Sequence, residues 1–237
     1  MRAILVLALA AVLTGWSIAS INLDAETRPF LAVAQRVEAN DVKDMGFLAR
    51  VDRVLAATSG RVECPRDLLR SAVTIKLARL EGAYRRESSI DWADIAGDAA
   101  GLLRNALRCF PHDGNLWLRL AIVEFARAGP TDDVERMVRL STELAPHEDW
   151  ILIPRLVFAS KLMDFRPTIR EVLLKDVHTL VRYARPAEVG ALYLQVGERA
   201  REVFEECLAA PLGVLRRADI QRAIDAIVAT LPPESQP

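Results

Sequence analysis

Apolar residues recur at helical spacing along almost the whole chain. Phe30, Val33, Ala34 and Val37 follow the i, i+3, i+4, i+7 order of one buried face and predict a helix from Pro29 to about Ala39. Pro29 suits the first turn, where its missing N–H has no helical partner to lose. Asn40-Asp41 closes that helix. Phe47, Leu48, Val51, Val54 and Leu55 predict a second one, about Asp44 to Ala57, ended by Thr58-Ser59-Gly60. Leu68, Leu69, Ala72, Val73, Ile75, Lys76, Leu77 and Leu80 lie within a third, Pro65 to Arg86. A fourth runs from Trp92 to Cys109, with Asp91 as its cap and Asp94 in its first turn.

Beyond Cys109 the pattern continues. Asp149 is placed to cap Trp150 to Leu162, with Pro154 in the first turn or kinking it. Phe165-Arg166-Pro167 breaks the chain before an amphipathic helix from Thr168 to Tyr183. Pro186 starts another, interrupted at Gly197. Pro211-Leu212-Gly213 reads as a turn before a last helix, Arg216 to Leu231, and residues 232–237 as a disordered tail. Runs with the strand period of two do not recur, so the body is expected to be all-α.

Two segments end almost alike: Leu107-Arg108-Cys109-Phe110-Pro111-His112-Asp113 and Thr142-Glu143-Leu144-Ala145-Pro146-His147-Glu148. Each proline and histidine of the first recurs 35 residues later in the second. Before Pro111, the residues Ala99, Leu103 and Ala106 alternate small, large and small. After it come Trp117, Leu120 and Ala121, then the turn Gly129-Pro130-Thr131-Asp132, then Val134, Val138 and Ser141 before Pro146.

This arrangement resembles the tetratricopeptide repeat, a helix-turn-helix unit of about 34 residues. Ala121 stands where that consensus has glycine, and Phe125 lies one position beyond the expected aromatic. The resemblance implies a short solenoid of antiparallel helix hairpins preceded by one hydrophobic N-terminal helix. It implies packing roles for Ala99, Leu103, Ala106, Pro111, Trp117, Leu120, Ala121 and Pro146. More loosely, the layout resembles alphaproteobacterial membrane-anchored repeat proteins associated with extracellular polysaccharide production. Trp117 to Ala121 and Ser141 to Ile151 carry that likeness. The organisation then expected is an anchor or signal over 1–23, a helical linker or N-terminal cap over 24–60, tetratricopeptide-like repeats over 61–185, a C-terminal helical cap over 186–231, and the tail over 232–237.

Composition narrows the picture. With 237 residues and 51% of them hydrophobic, the chain can bury a sizeable core. A formal net charge of -1 gives no basic surface for nucleic acid, so no nucleic-acid partner is expected. Ala3 to Leu23 carries no charge and follows Arg2. About 20 apolar residues cross a bilayer, which suits a membrane anchor through residues 3–23. Ser17-Ile18-Ala19 also suits signal cleavage, and a buried core helix is the third reading. With Arg2 held on the cytoplasmic side, an anchored protein sits in the inner membrane with its body in the periplasm; a cleaved one is secreted there.

Cys64, Cys109 and Cys207 show no CxxC spacing. In an antiparallel arrangement, Cys64 opens one helix and Cys109 closes the next at the same end. They are the pair to choose for a disulfide, against the alternative of three buried thiols.

Candidate chemistry is sparse. His112 and His147, with Asp113 and with Glu148-Asp149, would sit about 10 Å apart on successive turns, too far to share zinc unaided. Their bland reading is an inter-repeat turn in which Asp113 and Asp149 cap the next helices. His178 has no obvious partner. Glu202, Glu205 and Glu206 lie near Arg199 and Arg201, as in ordinary i,i+3 and i,i+4 pairing. Arg216-Arg217 is a weak signal for anionic lipid. Gly97 and Gly101 read as small packing positions. Trp117 reads as core; Trp150 could lie in a groove, and Trp92 could staple its helix. No catalytic motif, metal set or cofactor loop is recognised.

The expected function is therefore a non-enzymatic scaffold, membrane-anchored or periplasmic, with protein partners in an envelope or polysaccharide-export assembly. The alternative is a glycan-acting envelope hydrolase or lyase, which would need two convergent carboxylates. Self-association through an exposed terminal helix is a third possibility.

Overall fold

A computed structural model of the chain describes residues 27–42, 44–59, 64, 66–85 and 89–230, and every regular element among them is helical. The hydrophobic segment 1–23 and the tail 232–237 lie outside the described residues. Among the described residues, no helix is long and apolar enough to cross a membrane. The helices are α1 (27–38), α2 (Met45–Ser59), α3 (Arg66–Arg85), α4 (Ser89–Cys109), α5 (Gly114–Ala128), α6 (Asp132–Leu144), α7 (Asp149–Met163), α8 (Arg170–Tyr183), α9 (Pro186–Gln195), α10 (Glu198–Ala209) and α11 (Pro211–Thr230). A 3-10 turn, Pro167–Ile169, precedes α8. The chain divides after Cys109 into two compact units. That division falls inside the stretch 61–185 grouped as repeats from the sequence.

In the first unit, α2 packs on α3 and α3 on α4. Leu48, Leu55, Leu68, Ala72 and Ile75 form its buried centre, and Phe30, Val33 and Val37 of α1 pack against it. Asn40 ends α1 in the left-handed region, at φ 59°. Its N–H donates to Val37 O and that of Asp41 to Arg36 O, the paired bonds of a Schellman cap. Asp44 caps α2 by accepting from Phe47 N at 3.0 Å. One charged cluster ties three helices. The buried Asp52 of α2 accepts from Lys76, at 2.8 Å, and from Arg79, both on α3; Lys76 also reaches Asp98 of α4 at 3.3 Å. A Cys64–Cys109 disulfide closes the α3–α4 hairpin over a separation of 45 residues.

In the second unit, α5 and α6 form one hairpin and α7 and α8 another. They stack with α5 on α7 and α6 on α8; α10 then packs on α8, and α11 on α9 and α10. Asp113 caps α5, accepting from Asn115 N at 3.1 Å and Leu116 N at 3.2 Å. Thr131 caps α6 through Val134 N. Phe125, one step off the expected aromatic position, meets Phe158 edge-on at 5.5 Å and joins the core. Glu135 of α6 accepts from Arg139, Arg166 and Thr168, binding α6 to the segment before α8. Burial alone would raise this carboxyl, but those hydrogen bonds outweigh it and hold it below the ordinary range.

Several helix ends differ from expectation. The backbone of α4 is helical from Ser89, so Asp91 lies within the first turn and is not the cap. Glu148, not Asp149, occupies the N-cap of α7, and it makes no side-chain capping bond. Pro154 therefore falls in the second turn, where it removes one helical hydrogen bond. Pro211 does not open a turn; it is the first residue of α11, where its fixed φ suits the helix.

The expected packing residues are not equally placed. Ala99, Leu103, Ala106, Leu120 and Ala121 are buried. Pro111 and Pro146 are exposed at turns, and Trp117 is half-buried. The Trp117 indole N–H donates to Pro111 O at 2.8 Å, so the ring braces the turn as well as filling space. Close approach falls on Gly114 instead. A Cβ there would lie 2.7 Å from Ala145 Cβ and 3.0 Å from Ser141 O. A Cβ at Gly97 or Gly101 meets nothing within 4 Å among the described residues, so neither is a point of close approach among them.

Two outcomes follow for stability. Gly97→Ala and Gly101→Ala should each stabilise by roughly 0.5–1 kcal/mol, the helix-propensity gain in open space, whereas Gly114→Ala should lower the melting temperature. Replacing Cys64 and Cys109 by alanine should cost about 4 kcal/mol, the loop entropy of a 45-residue closure. Denaturant titration of the variants against the oxidised parent checks both.

Candidate functional site

A helix leaves its last carbonyls without intrahelical donors. At the end of α6 one such carbonyl, Ala145 O, takes its donor from another helix, which also adds a second donor to Ser141 O. Arg155 of α7 is fully buried, and its Nη1 donates to Ser141 O and to Ala145 O, both at 3.0 Å. Its Nε and Nη2 donate to Asp176 Oδ2 and Oδ1 of α8, each at 2.8 Å. Three helices thus converge on one guanidinium. Burial pushes the Asp176 carboxyl up from its ordinary value, and the Arg155 fork draws it only part of the way back.

Arg155 and Asp176 lie 35 residues after Leu120 and Ser141. A buried ion pair therefore occupies, in the second hairpin, the positions that hold an apolar residue and a hydroxyl in the first. Sequence reasoning missed it. Arg155 sits in the run Ile151-Leu152-Ile153-Pro154-Arg155-Leu156-Val157-Phe158, and its spacing with Ile151 and Leu152 was the available signal of a buried side.

Asp176 also borders a groove of about 600 Å³ lined by α6, α8 and α10. Its apolar surface comes from Pro146, Leu174, Cys207 and Ala210. Polar groups stand around it: His147 and Glu143 near the end of α6, Lys175, His178 and Thr179 on α8, and Glu206 on α10. His147 meets the Tyr183 ring edge-on at 6.3 Å, and the Arg182 guanidinium lies over that ring at 5.2 Å. Glu206 is paired with Arg170. Cys207 is buried, and its thiol is pushed up to about 11 by burial first and by Glu206 second. It is a wall of the groove and a poor nucleophile.

The structure regroups the histidines. His147 shares the groove with His178, to which the sequence assigns no role, while His112 is exposed at another turn. Among the described residues, no group of three or more His, Cys, Asp or Glu could hold a metal ion.

The acidic edge of α10 is also rearranged. Glu206 pairs with Arg170 of α8 and Glu205 with Arg217 of α11, in place of pairing along the helix. Arg199 donates to Asp164 O, and Arg201 to Tyr193 O and Leu194 O. Arg216 donates to Val181 O and Ala184 O. These arginines fasten helix ends, so Arg216-Arg217 is no free lipid-binding pair. Trp150 is 56% exposed, with Ile153 beside it on the outer side of α7. It lies outside the groove.

No protein-family model, curated protein or solved structure matches this chain. The class that the fold defines is an all-α protein of packed helix hairpins.

Asp176→Leu should cost about 3–5 kcal/mol, because it leaves Arg155 buried and unpaired, and Arg155→Met should cost a similar amount by leaving Asp176 so. The double variant R155M/D176L should cost less than the two single losses added together, since no lone charge stays buried. Its remaining deficit is the lost donor to Ala145 O, since Ser141 O keeps its bond from Ala145 N. Urea titration of the four proteins in a double-mutant cycle measures the difference.

Proposed function

We propose that this chain is a tetratricopeptide-like interaction protein that holds a peptide or helix of a protein partner in the α6–α8–α10 groove. The observation that carries the reading is the groove's construction. Side chains from three helices line an apolar trough with polar groups at its edges, on a frame whose helix ends are cross-fastened. Stacked helix pairs present continuous surfaces of this kind, and apolar grooves of this kind take amphipathic segments.

We further infer that it works outside the cytoplasm as a non-enzymatic partner in assembling or exporting an extracellular polysaccharide. Residues 3–23 would anchor it in the membrane or be cleaved on export. The uncharged N-terminal segment behind Arg2 supports that compartment. So does the Cys64–Cys109 bridge, since disulfides persist where the surroundings are oxidising. The likeness of Trp117 to Ala121 and of Ser141 to Ile151 supports the process.

A photoreactive amino acid at Thr179, inside the groove, tests the binding reading against one at Glu198, exposed outside it. In native membranes, Thr179 should give a discrete adduct that is lost with Lys175→Glu, and Glu198 should give none. Equal labelling from both positions would remove the groove as the binding site.

A further inference from the structure

The bridge in the first unit joins unlike helix ends. Cys64 lies two residues before Arg66, the first residue of α3, and Cys109 is the last residue of α4. Cys64 is exposed and Cys109 is half-buried. The Cys64 backbone has φ 49°, in the left-handed region, which a residue with a Cβ enters at a cost. Exposed disulfides are among those most readily reduced.

We propose that the Cys64–Cys109 bridge is a reducible clip, opened in the folded protein by a dithiol reductant to release the start of α3 from the end of α4. Access directs the first step to Cys64. A reductant thiolate attacks Cys64 Sγ, the bond to Cys109 breaks, and Cys109 leaves with the electron pair and takes a proton. The reductant's second thiol then attacks its own sulfur in the mixed disulfide and releases Cys64 as a thiolate. Two electrons pass to the protein, and the dithiol ends as a disulfide.

Opening the clip leaves the α3–α4 hairpin held by its core and by the Asp52–Lys76–Asp98 link, so the expected change is local fraying at the two ends. This proposal does not rest on the groove and stands or falls apart from it.

The test uses the oxidised full chain in graded dithiothreitol buffers, with maleimide trapping and hydrogen exchange. Cys64 and Cys109 should become labelled while circular dichroism stays native. Exchange should rise in the first turn of α3 and the last turn of α4, and buried Cys207 should remain unlabelled as an internal control. Reduction that occurs only as the chain unfolds would overturn the clip. A second measurement starts reduction with a monothiol, 2-mercaptoethanol, quenches it early with acid and locates the mixed disulfide by peptide mass spectrometry: the adduct should sit on Cys64. An adduct mainly on Cys109 would overturn the assigned direction of attack.

Discussion

The second unit depends on how its helix C-termini find donors. A helix that ends without a left-handed cap leaves carbonyl groups seeking hydrogen bonds, and its dipole favours a positive charge there. Here arginines from other helices supply both. Arg155 serves the end of α6, Arg199 the end of α7, Arg201 the end of α9 and Arg216 the end of α8. Each such bond satisfies an acceptor and fixes one helix against another. Arg155 is the deepest of them and requires Asp176 to neutralise it. Its nitrogens all have acceptors, and those acceptors lie on two other helices. A leucine at this position would tolerate a small slide of α7, whereas a fully engaged fork does not.

That constraint explains what could be read from the sequence. Apolar periodicity located the helices because each buries one face, as Val172, Leu173, Val177 and Leu180 do on α8. It located the ends less well. Asp91 has the chemistry of a cap and Pro211 that of a turn, yet backbone hydrogen bonding carries both into helices. The inter-helix arginines were hidden for a different reason. Arg199 and Arg201 have acidic neighbours along the chain, so local pairing is the natural reading, and Arg216-Arg217 reads as a basic pair for anionic lipid. Their actual acceptors are mostly carbonyls, which have no sequence signature. Cys64 and Cys109 were more legible, because antiparallel helices bring the start of one beside the end of the next.

The groove shows the same division between local and non-local information. The 35-residue spacing drew attention to His112 and His147, which share a position in two turns. Packing of α6 on α8 brings His147 instead to His178. Repeat spacing identifies equivalent places along an array; a binding surface joins non-equivalent places across it. This is why the packing residues Leu120 and Ala121 are legible from the repeat and the groove residues Lys175, His178 and Thr179 are not.

Asp176 connects the frame to the groove. Its carboxylate holds Arg155, and its neighbours Lys175, His178 and Thr179 face the open trough. Successive residues of α8 therefore carry separate burdens: Asp176 sets the position of the helix, and the exposed positions around it are free to set what the helix contacts. A buried ion pair is weak evidence for added stability, because desolvation offsets much of its attraction. Its stronger consequence is geometric. The fork admits one rotation of α7 and one axial position of α8, and each residue exposed on α8 inherits that placement. Exchange of Leu120 and Ser141 for Arg155 and Asp176 between the two hairpins thus puts the more exacting packing beside the groove.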